Sequence, residues 1–357
     1  MKIGLLIYGS IDTLSGGYLY DRKLVEYLRA RRESVEIISL PWRNYAAHLS
    51  DNLSFRLPAG LDVLIQDELN HPSLLAANAQ KHPYPIISLV HHLRSSEEHP
   101  GWLRWFYHAV ERRYLRSVDG FIFNSQTTRS VVCELAGERV PGLVAYPPTD
   151  RFGAALPAEL VAARAMESGP LRLVLLGNLI PRKGLHVLLE ALSSLPPGFC
   201  LDVIGAETAD PGYAARMQQM ARELGLAERV TFHGALETPA LVEKLKTAQV
   251  LVVPSSYEGF GIVYLEGMAF GLPAIGSTAG AAAEVITQGV TGYLVRAGDA
   301  GDLAQRLATL AHERELLRSM SLLALERYRS QPSWPETAES IHKFLGTFVA
   351  RASVRRS

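Results

Sequence analysis

Short apolar runs alternate with longer stretches whose apolar positions fall three and four residues apart, from one end of the chain to the other. This alternation is the pattern of parallel strands wrapped by helices and predicts an α/β protein. In the first half, strands are expected at 3–8, 35–39, 63–66, 86–91, 120–123 and 143–146. In the second half they are expected at 171–176, 200–204, 230–232, 250–253, 274–276 and 292–295. Between the halves, residues 147–170 are rich in proline, alanine and glycine and lack strand periodicity, so a domain change belongs there. The expected domains are 1–160 and 161–332, followed by a helix at 333–350 and a basic tail, 351–357, read as disordered.

Composition narrows the class further. A chain of 357 residues with a hydrophobic fraction of 48% is long enough for two domains with sizeable cores. Lysine plus arginine equals aspartate plus glutamate at 36 each, so no global field favours nucleic acid or an anionic membrane, and any basic function is local. Cys133 and Cys200 stand alone without a CxxC spacing and read as reduced, buried thiols of a cytoplasmic protein. Residues 1–9 carry one lysine and a short apolar run with no clear cleavage site, which suits a first strand better than a signal peptide. No apolar run is long enough to span a bilayer.

Parallel sheets bind ligands at the carboxyl ends of their strands, and two such sheets facing each other would build a cleft. Loops with candidate chemistry follow the expected strands: GSIDTLSGG at 9–17, His91 and His92, Asn124 and Ser125, and GNLIPRKG at 177–184. The richest is PSSYEGFG at 254–261, which opens a helix expected over 261–270 and stopped by Gly271 and Pro273. The amides of Phe260, Gly261, Ile262 and Val263, with the positive end of the helix dipole, make a seat for phosphate or sugar hydroxyls. Glu258 and Glu266, about two turns apart, can accept hydrogen bonds from hydroxyls at opposite ends of one elongated ligand, which suggests a nucleotide sugar. Arg182 and Lys183, at the start of another helix, could clamp a diphosphate; standing alone, such a pair reads as solvated surface charge.

PSSYEGFG before the helix and GMAFGLP (267–273) after it give the chain a resemblance to retaining glycosyltransferases of family 4, marked by a Glu-x7-Glu motif. Gly177 with PRKG at 181–184, and Gly16 and Gly17 ahead of a helix, extend the resemblance over most of the chain, more specifically in the second half than in the first. The resemblance implies the GT-B arrangement of two Rossmann-like domains facing a cleft, with the terminal helix crossing back to the first domain. It implies transfer of a sugar from a nucleoside diphosphate with retention of configuration, Arg182 and Lys183 neutralising the departing diphosphate. Glu266 would hold the ribose and Glu258 the donor sugar. Gly16 and Gly17 would admit the diphosphate, and base recognition would fall near Gly205, Ala206 and residues 233–236, including Gly234. His91 matches a histidine that faces the donor sugar; His92 is its competitor, since successive strand residues point to opposite faces, and a structural histidine at a strand end is the plain alternative.

Other chemistries fit less well. The groups His91, His92, Glu97, Glu98 and His99, and Asp67, Glu68 and His71, lack a convincing ligand set, so no metal and no cofactor is expected. Asp-x-Asp, GxGxxG, the P-loop and GxSxG do not occur. A catalytically silent sugar-nucleotide-binding subunit and a sugar-nucleotide epimerase on the same fold stand as alternatives. The acceptor is a glycan, lipid or small-molecule hydroxyl, and oligomeric state is left open. Trp102, Trp105, Phe106 and Tyr107 share one expected helix with Arg104, Arg112, Arg113 and Arg116. That composition suits a membrane-surface helix, and suits better a helix with aromatics packed inside and arginines solvated. Residues 42–56 carry the same ambiguity, and contact of either stretch with lipid would make the acceptor a lipid or a membrane-bound glycan.

Overall fold

The computed structural model describes the chain except residues 14, 138–140, 149–150, 154 and 357, and the side chains of 353–356. Position 14 of the glycine-rich loop, parts of the 147–170 linker and the last tail residue therefore lie outside the described residues. All twelve expected strands are present: β1 (Lys2–Tyr8), β2 (Ser34–Leu40), β3 (Val63–Asp67), β4 (Ile86–Val90), β5 (Gly120–Phe123), β6 (Gly142–Val144), β7 (Leu171–Leu176), β8 (Phe199–Ile204), β9 (Val230–Phe232), β10 (Val250–Val253), β11 (Ala274–Ser277) and β12 (Gly292–Val295). They form two six-stranded parallel sheets, ordered β2-β1-β3-β4-β5-β6 and β12-β11-β10-β7-β8-β9. The fold class is α/β, as the alternation of apolar runs and amphipathic stretches predicts.

The chain divides into two compact units, Met1–Pro148 with Pro332–Ser357, and Thr149–Gln331. In the first, alternate residues of β1 serve two cores. Ile3, Leu5 and Ile7 pack with Leu24 and Leu28 of helix Gly16–Ala30 and with Trp334, Ile341 and Leu345 of the terminal helix; Leu6 and Tyr8 pack on the other face with Tyr114 and Phe121. The terminal helix runs Trp334–Arg356, longer than the expected 333–350. Residues 351–356 are helical, not the disordered tail expected, because arginine and alanine are good helix formers and neither glycine nor proline interrupts them.

The second unit begins ahead of helix Ala158–Ala165 for a physical reason. Val161 and Arg164 of that helix are buried. The guanidinium of Arg164 donates to the carbonyls of Phe270 at 2.6 Å and Lys246 at 3.1 Å, tying the helix to the body of this unit. Gly271 has φ +63°, and a Cβ there would come 2.4 Å from Val161, so the stop after the Ile262–Met268 helix and the packing of the first helix share one residue.

In each sheet the strand order reverses at one place. The first sheet reverses between β1 and β3 and the second between β7 and β10, where successive connections leave in opposite directions. Open α/β sheets bind ligands beyond the carboxyl ends of the strands at such switch points. The two cysteines are free and half-buried, not buried as expected, and burial raises the Cys200 thiol above its ordinary range.

Candidate active site

At the β7/β10 switch point two glycines bring two loops together. Gly177 (φ +143°) ends β7 with its Cα against the Lys183 side chain, where a Cβ would lie 3.1 Å from Cε. Gly184 (φ +72°) follows the single 3₁₀ turn Pro181–Lys183, and a Cβ there would stand 2.3 Å from the carbonyl oxygen of Pro254, just after β10. The Ser256 N–H donates to the Arg182 carbonyl at 2.8 Å, closing the same junction. This approach sets the cations of one loop against the carboxylate of the other.

Glu258 is the centre of that arrangement. Its Oε1 accepts from Lys183 Nζ at 2.6 Å and from Ser255 Oγ at 2.6 Å, while Arg182 Nη1 lies 3.6 Å from Oε2 and donates to the Tyr257 carbonyl at 2.7 Å. Burial alone would push this carboxyl up. The charges of Lys183 and Arg182 and the hydrogen bonds from Lys183 and Ser255 outweigh it and hold the group down at about 2. Its backbone is pinned as well, since the Ala281 N–H donates to the Glu258 carbonyl at 2.8 Å, where a Cβ on Gly280 would stand 2.1 Å away. The result is a fixed carboxylate whose Oε2 has no hydrogen-bond donor among the described residues and can accept a ligand hydroxyl.

The expected helix after this loop runs Ile262–Met268, opened by Gly261 in a left-handed conformation (φ +86°), where a Cβ would meet the Tyr264 ring at 2.5 Å. Phe260 and Val263 are buried and Ile262 is half-buried. Glu266 is buried and accepts from Arg151 Nη1 at 3.0 Å. Burial raises its carboxyl, opposed by the charge and hydrogen bond of Arg151. Gly177, Gly205 and Gly234 end the neighbouring strands β7, β8 and β9. A Cβ on Gly205 would stand 1.9 Å from the Gly177 carbonyl oxygen, and the Gly205 N–H donates to the Gly234 carbonyl at 2.9 Å. Beside them His233 Nε2 lies 2.5 Å from Asp202 Oδ1.

The first unit gathers a second group. His91 is the first residue after β4, not the last of it, and a Cβ on Gly17 would come 3.2 Å from its ring. Gly16 and Gly17 form the first turn of the helix capped by Ser15, whose Oγ accepts from Tyr18 N. His91 Nε2 lies 3.3 Å from Asp21 Oδ1, and the Tyr20 ring meets the imidazole edge-on at 5.5 Å. His92 points elsewhere, with Nε2 3.1 Å from Glu97 Oε1. Burial opposes protonation of His91, but the hydrogen bond and charge of Asp21, with Asp67 and Glu68 nearby, raise it to about 9.

Two clusters hold donors that could ligate a cation: Asp21, Asp67 and His91, and Glu68, His71 and Glu111. The structure thus regroups the acidic residues of 67–71 with partners distant in sequence. In the second cluster the donors of His71 and Glu111 already serve the protein, while Glu68 Oε1 has no hydrogen-bond partner among the described residues. His71 Nε2 meets the Tyr45 hydroxyl at 2.8 Å, its Nδ1 lies 3.0 Å from the Glu68 carbonyl, and Glu111 accepts from the Ser95 N–H and hydroxyl. Burial raises Asp67, Glu68 and Glu111 to about 7, so protons answer much of the charge that a cation would otherwise neutralise. Sequence reasoning missed Ser255, Arg151 and Asp21, each a partner of a residue it found.

Residues 159–325 match the family of glycosyl transferases group 1. A D-inositol 3-phosphate glycosyltransferase of Nocardia farcinica is 30% identical over 240 residues, which cover 65% of this chain and 53% of that protein. A GDP-mannose-dependent alpha-(1-6)-phosphatidylinositol monomannoside mannosyltransferase of Mycobacterium tuberculosis is 31% identical over 252 residues, 66% of this chain and 64% of its own length. The chain thus spans between about half and two thirds of these curated relatives. Among solved structures, Anabaena HepE in complex with UDP-glucose superposes with a TM-score of 0.74 over 97% of this chain and 100% of that one, at 19% identity. That likeness shows a shared fold.

Proposed function

Since the chain belongs, through residues 159–325, to the glycosyl transferases group 1 family, we propose that it transfers a sugar from a nucleoside diphosphate sugar to an acceptor hydroxyl with retention of configuration. The observation that carries this reading is Glu258 fixed between Lys183, Arg182 and Ser255 at the β7/β10 switch point. A diphosphate seated there draws Lys183 and Arg182 toward its oxygens, and the Glu258 carboxylate, held ionised, takes a sugar hydroxyl. Glu266, a buried acceptor on the next helix, takes the ribose hydroxyls in place of its pairing with Arg151. The Mycobacterium relative is described as GDP-mannose-dependent and the Anabaena structure holds UDP-glucose, which supports the donor class and leaves the base open.

In the transfer, the bond from the sugar C1 to the diphosphate oxygen breaks and its electron pair leaves with the diphosphate. The acceptor oxygen bonds to C1 on the same face, and its proton passes to a departing diphosphate oxygen. Lys183 and Arg182 stabilise the charge that grows there, the role a metal serves in other transferases, so the reaction is proposed as metal-independent. Glu258 positions the sugar and does not attack it, because a carboxylate engaged by a lysine and a serine and held at about 2 is a weak nucleophile. The acceptor is a glycan, lipid or small-molecule hydroxyl; a lipid acceptor would bring the protein to a membrane surface. No described helix is long and apolar enough to cross a membrane.

Thermal unfolding against UDP, GDP, ADP, CMP and dTDP and their sugar conjugates, with and without chelator, tests the donor. A ligand at a hundred times its dissociation constant adds about 2.7 kcal/mol to the native state. A selective shift that survives chelator and disappears in Glu266→Ala is expected. No shift with any nucleotide would favour a chain without transfer activity, and a chelator-sensitive shift would remove the metal-free reading.

A further inference from the structure

The Gly101–Leu115 helix sends its aromatic residues in opposite directions. Tyr107 and Phe106 turn to the protein, packing on Tyr45 with ring centroids 4.7 Å and 6.1 Å away, and Tyr114 lies in the core. Trp102 and Trp105 turn to solvent, each 73% exposed. At helical spacing the exposed positions 101, 102, 104, 105, 108, 109, 112 and 113, with 116 at the helix end, make one continuous side. That side carries the two tryptophans at its start and Arg112, Arg113 and Arg116 at its end, with Arg104 between. Glu111 is the helix's single carboxylate, and it is buried against Ser95. The exposed side therefore has no acid of its own.

Two indoles left in water on one turn are unfavourable unless something covers them. The charge pattern selects the cover. A second copy presenting the same side would gather two sets of arginines in one interface with no carboxylate from either exposed side to answer them, which costs binding energy. An anionic bilayer offers both complements, since tryptophan settles at the boundary between headgroups and acyl chains and arginine meets lipid phosphate. Fifteen residues of helix span about 22 Å, long enough to lie along a membrane surface.

We propose that the exposed side of the Gly101–Leu115 helix seats the protein on an anionic lipid surface, with Trp102 and Trp105 entering the headgroup boundary and the arginines facing lipid phosphates. The proposal stands apart from the transfer reading, because vesicle binding is read without donor or turnover.

Co-sedimentation of the whole chain with vesicles of phosphatidylcholine alone, and of phosphatidylcholine mixed with phosphatidylglycerol, is the test. Binding to the mixed vesicles, falling as salt rises, is expected. Each arginine near an anionic surface contributes roughly fivefold to the partition, so the triple change Arg112→Gln, Arg113→Gln and Arg116→Gln lowers it roughly a hundredfold. Trp102→Ser with Trp105→Ser lowers binding as well and removes the blue shift of tryptophan emission on mixed vesicles. Both variants keep the wild-type melting temperature and any nucleotide-induced shift, which separates a failure of this surface from a failure of the donor reading. Absence of binding to mixed vesicles at low salt, or variants that bind like wild type, overturns the proposal. So does self-association without lipid that the tryptophan changes abolish, since the side would then belong to a second copy.

Discussion

Lys183 Nζ donates to Glu258 Oε1 at 2.6 Å, joining the turn after β7 to the loop after β10 through two side chains 13% and 9% exposed. Removing one partner of a pair this buried leaves an uncompensated charge and typically costs about 3 kcal/mol or more, whereas removing both costs less. Lys183→Met and Glu258→Gln are each expected to destabilise the chain, and the double variant to recover part of the loss. Chemical denaturation of the four proteins of the cycle measures the coupling. Additive effects would show that the pair is not a unit. Loss of turnover would still be expected in both single variants, roughly a hundredfold or more, if the two groups serve the donor.

Gly184 makes that pair geometrically possible. Its φ of +72° and the Pro254 carbonyl oxygen, 2.3 Å from where a Cβ would lie, both exclude a side chain. Gly184→Ala must push the Arg182–Lys183 turn away from the loop after β10, at a cost of about 1–3 kcal/mol in backbone strain. The junction between Ser256 N–H and the Arg182 carbonyl opens with it. A lowered melting point together with a weaker nucleotide-induced shift is the expected result. A variant with native stability and native nucleotide affinity would mean that the two loops need not touch.

These relationships show what the sequence could reveal and what it could not. Buried parallel strands read as continuous runs of valine, isoleucine and leucine, so all twelve were legible to within a residue or two of their ends. Arg182, Lys183 and Glu258 were legible because each sits in a short motif next to a strand end. Their supports were not. Arg151 lies 115 residues from Glu266, Asp21 lies 70 residues from His91, and no local pattern announces either contact. Helix Ala158–Ala165 lies in the second unit because Val161 packs at Gly271 and Arg164 reaches the carbonyl of Phe270, contacts that composition does not register. The aromatic helix failed for a related reason: with tryptophan and tyrosine on opposite sides, periodicity alone cannot say which side faces water.

Asp21 is fully buried, with Oδ1 3.3 Å from His91 Nε2 and Oδ2 without a hydrogen-bond partner among the described residues. Its carboxylate keeps His91 protonated to about pH 9, above the ordinary value of 6.5. A histidine raised in the folded state stabilises the fold fully below pH 6.5 and loses that contribution as pH rises through 9. Asp21→Asn removes the charge while keeping the shape, so the His91 titration followed by NMR is expected to move down and the alkaline loss of stability to shrink. If His91 also faces the donor, the alkaline limb of the pH–rate profile moves with it. An unmoved titration would show that Asp67 and Glu68 suffice.

Glu111 sets the opposite condition to Glu258 at the other end of the pH scale. Burial raises Glu111 from 4.5 to about 7, with Glu68 adding to the effect and His71 and Ser95 opposing it. A carboxyl raised on folding favours the folded state below its unfolded value and loses that contribution as pH climbs, here between about 4.5 and 7. Glu258, depressed to about 2, contributes above 4.5 and is lost as pH falls toward 2, so the two slopes do not overlap. Glu111→Gln keeps an oxygen for the Ser95 N–H and hydroxyl but cannot ionise. Relative to wild type, the variant is therefore expected to gain melting temperature progressively from pH 4.5 to 7 and to match it more closely in acid. Parallel melting curves across that window would mean that Glu111 carries its charge in the native state at no cost, and that a cation or an ordered donor stands beside it.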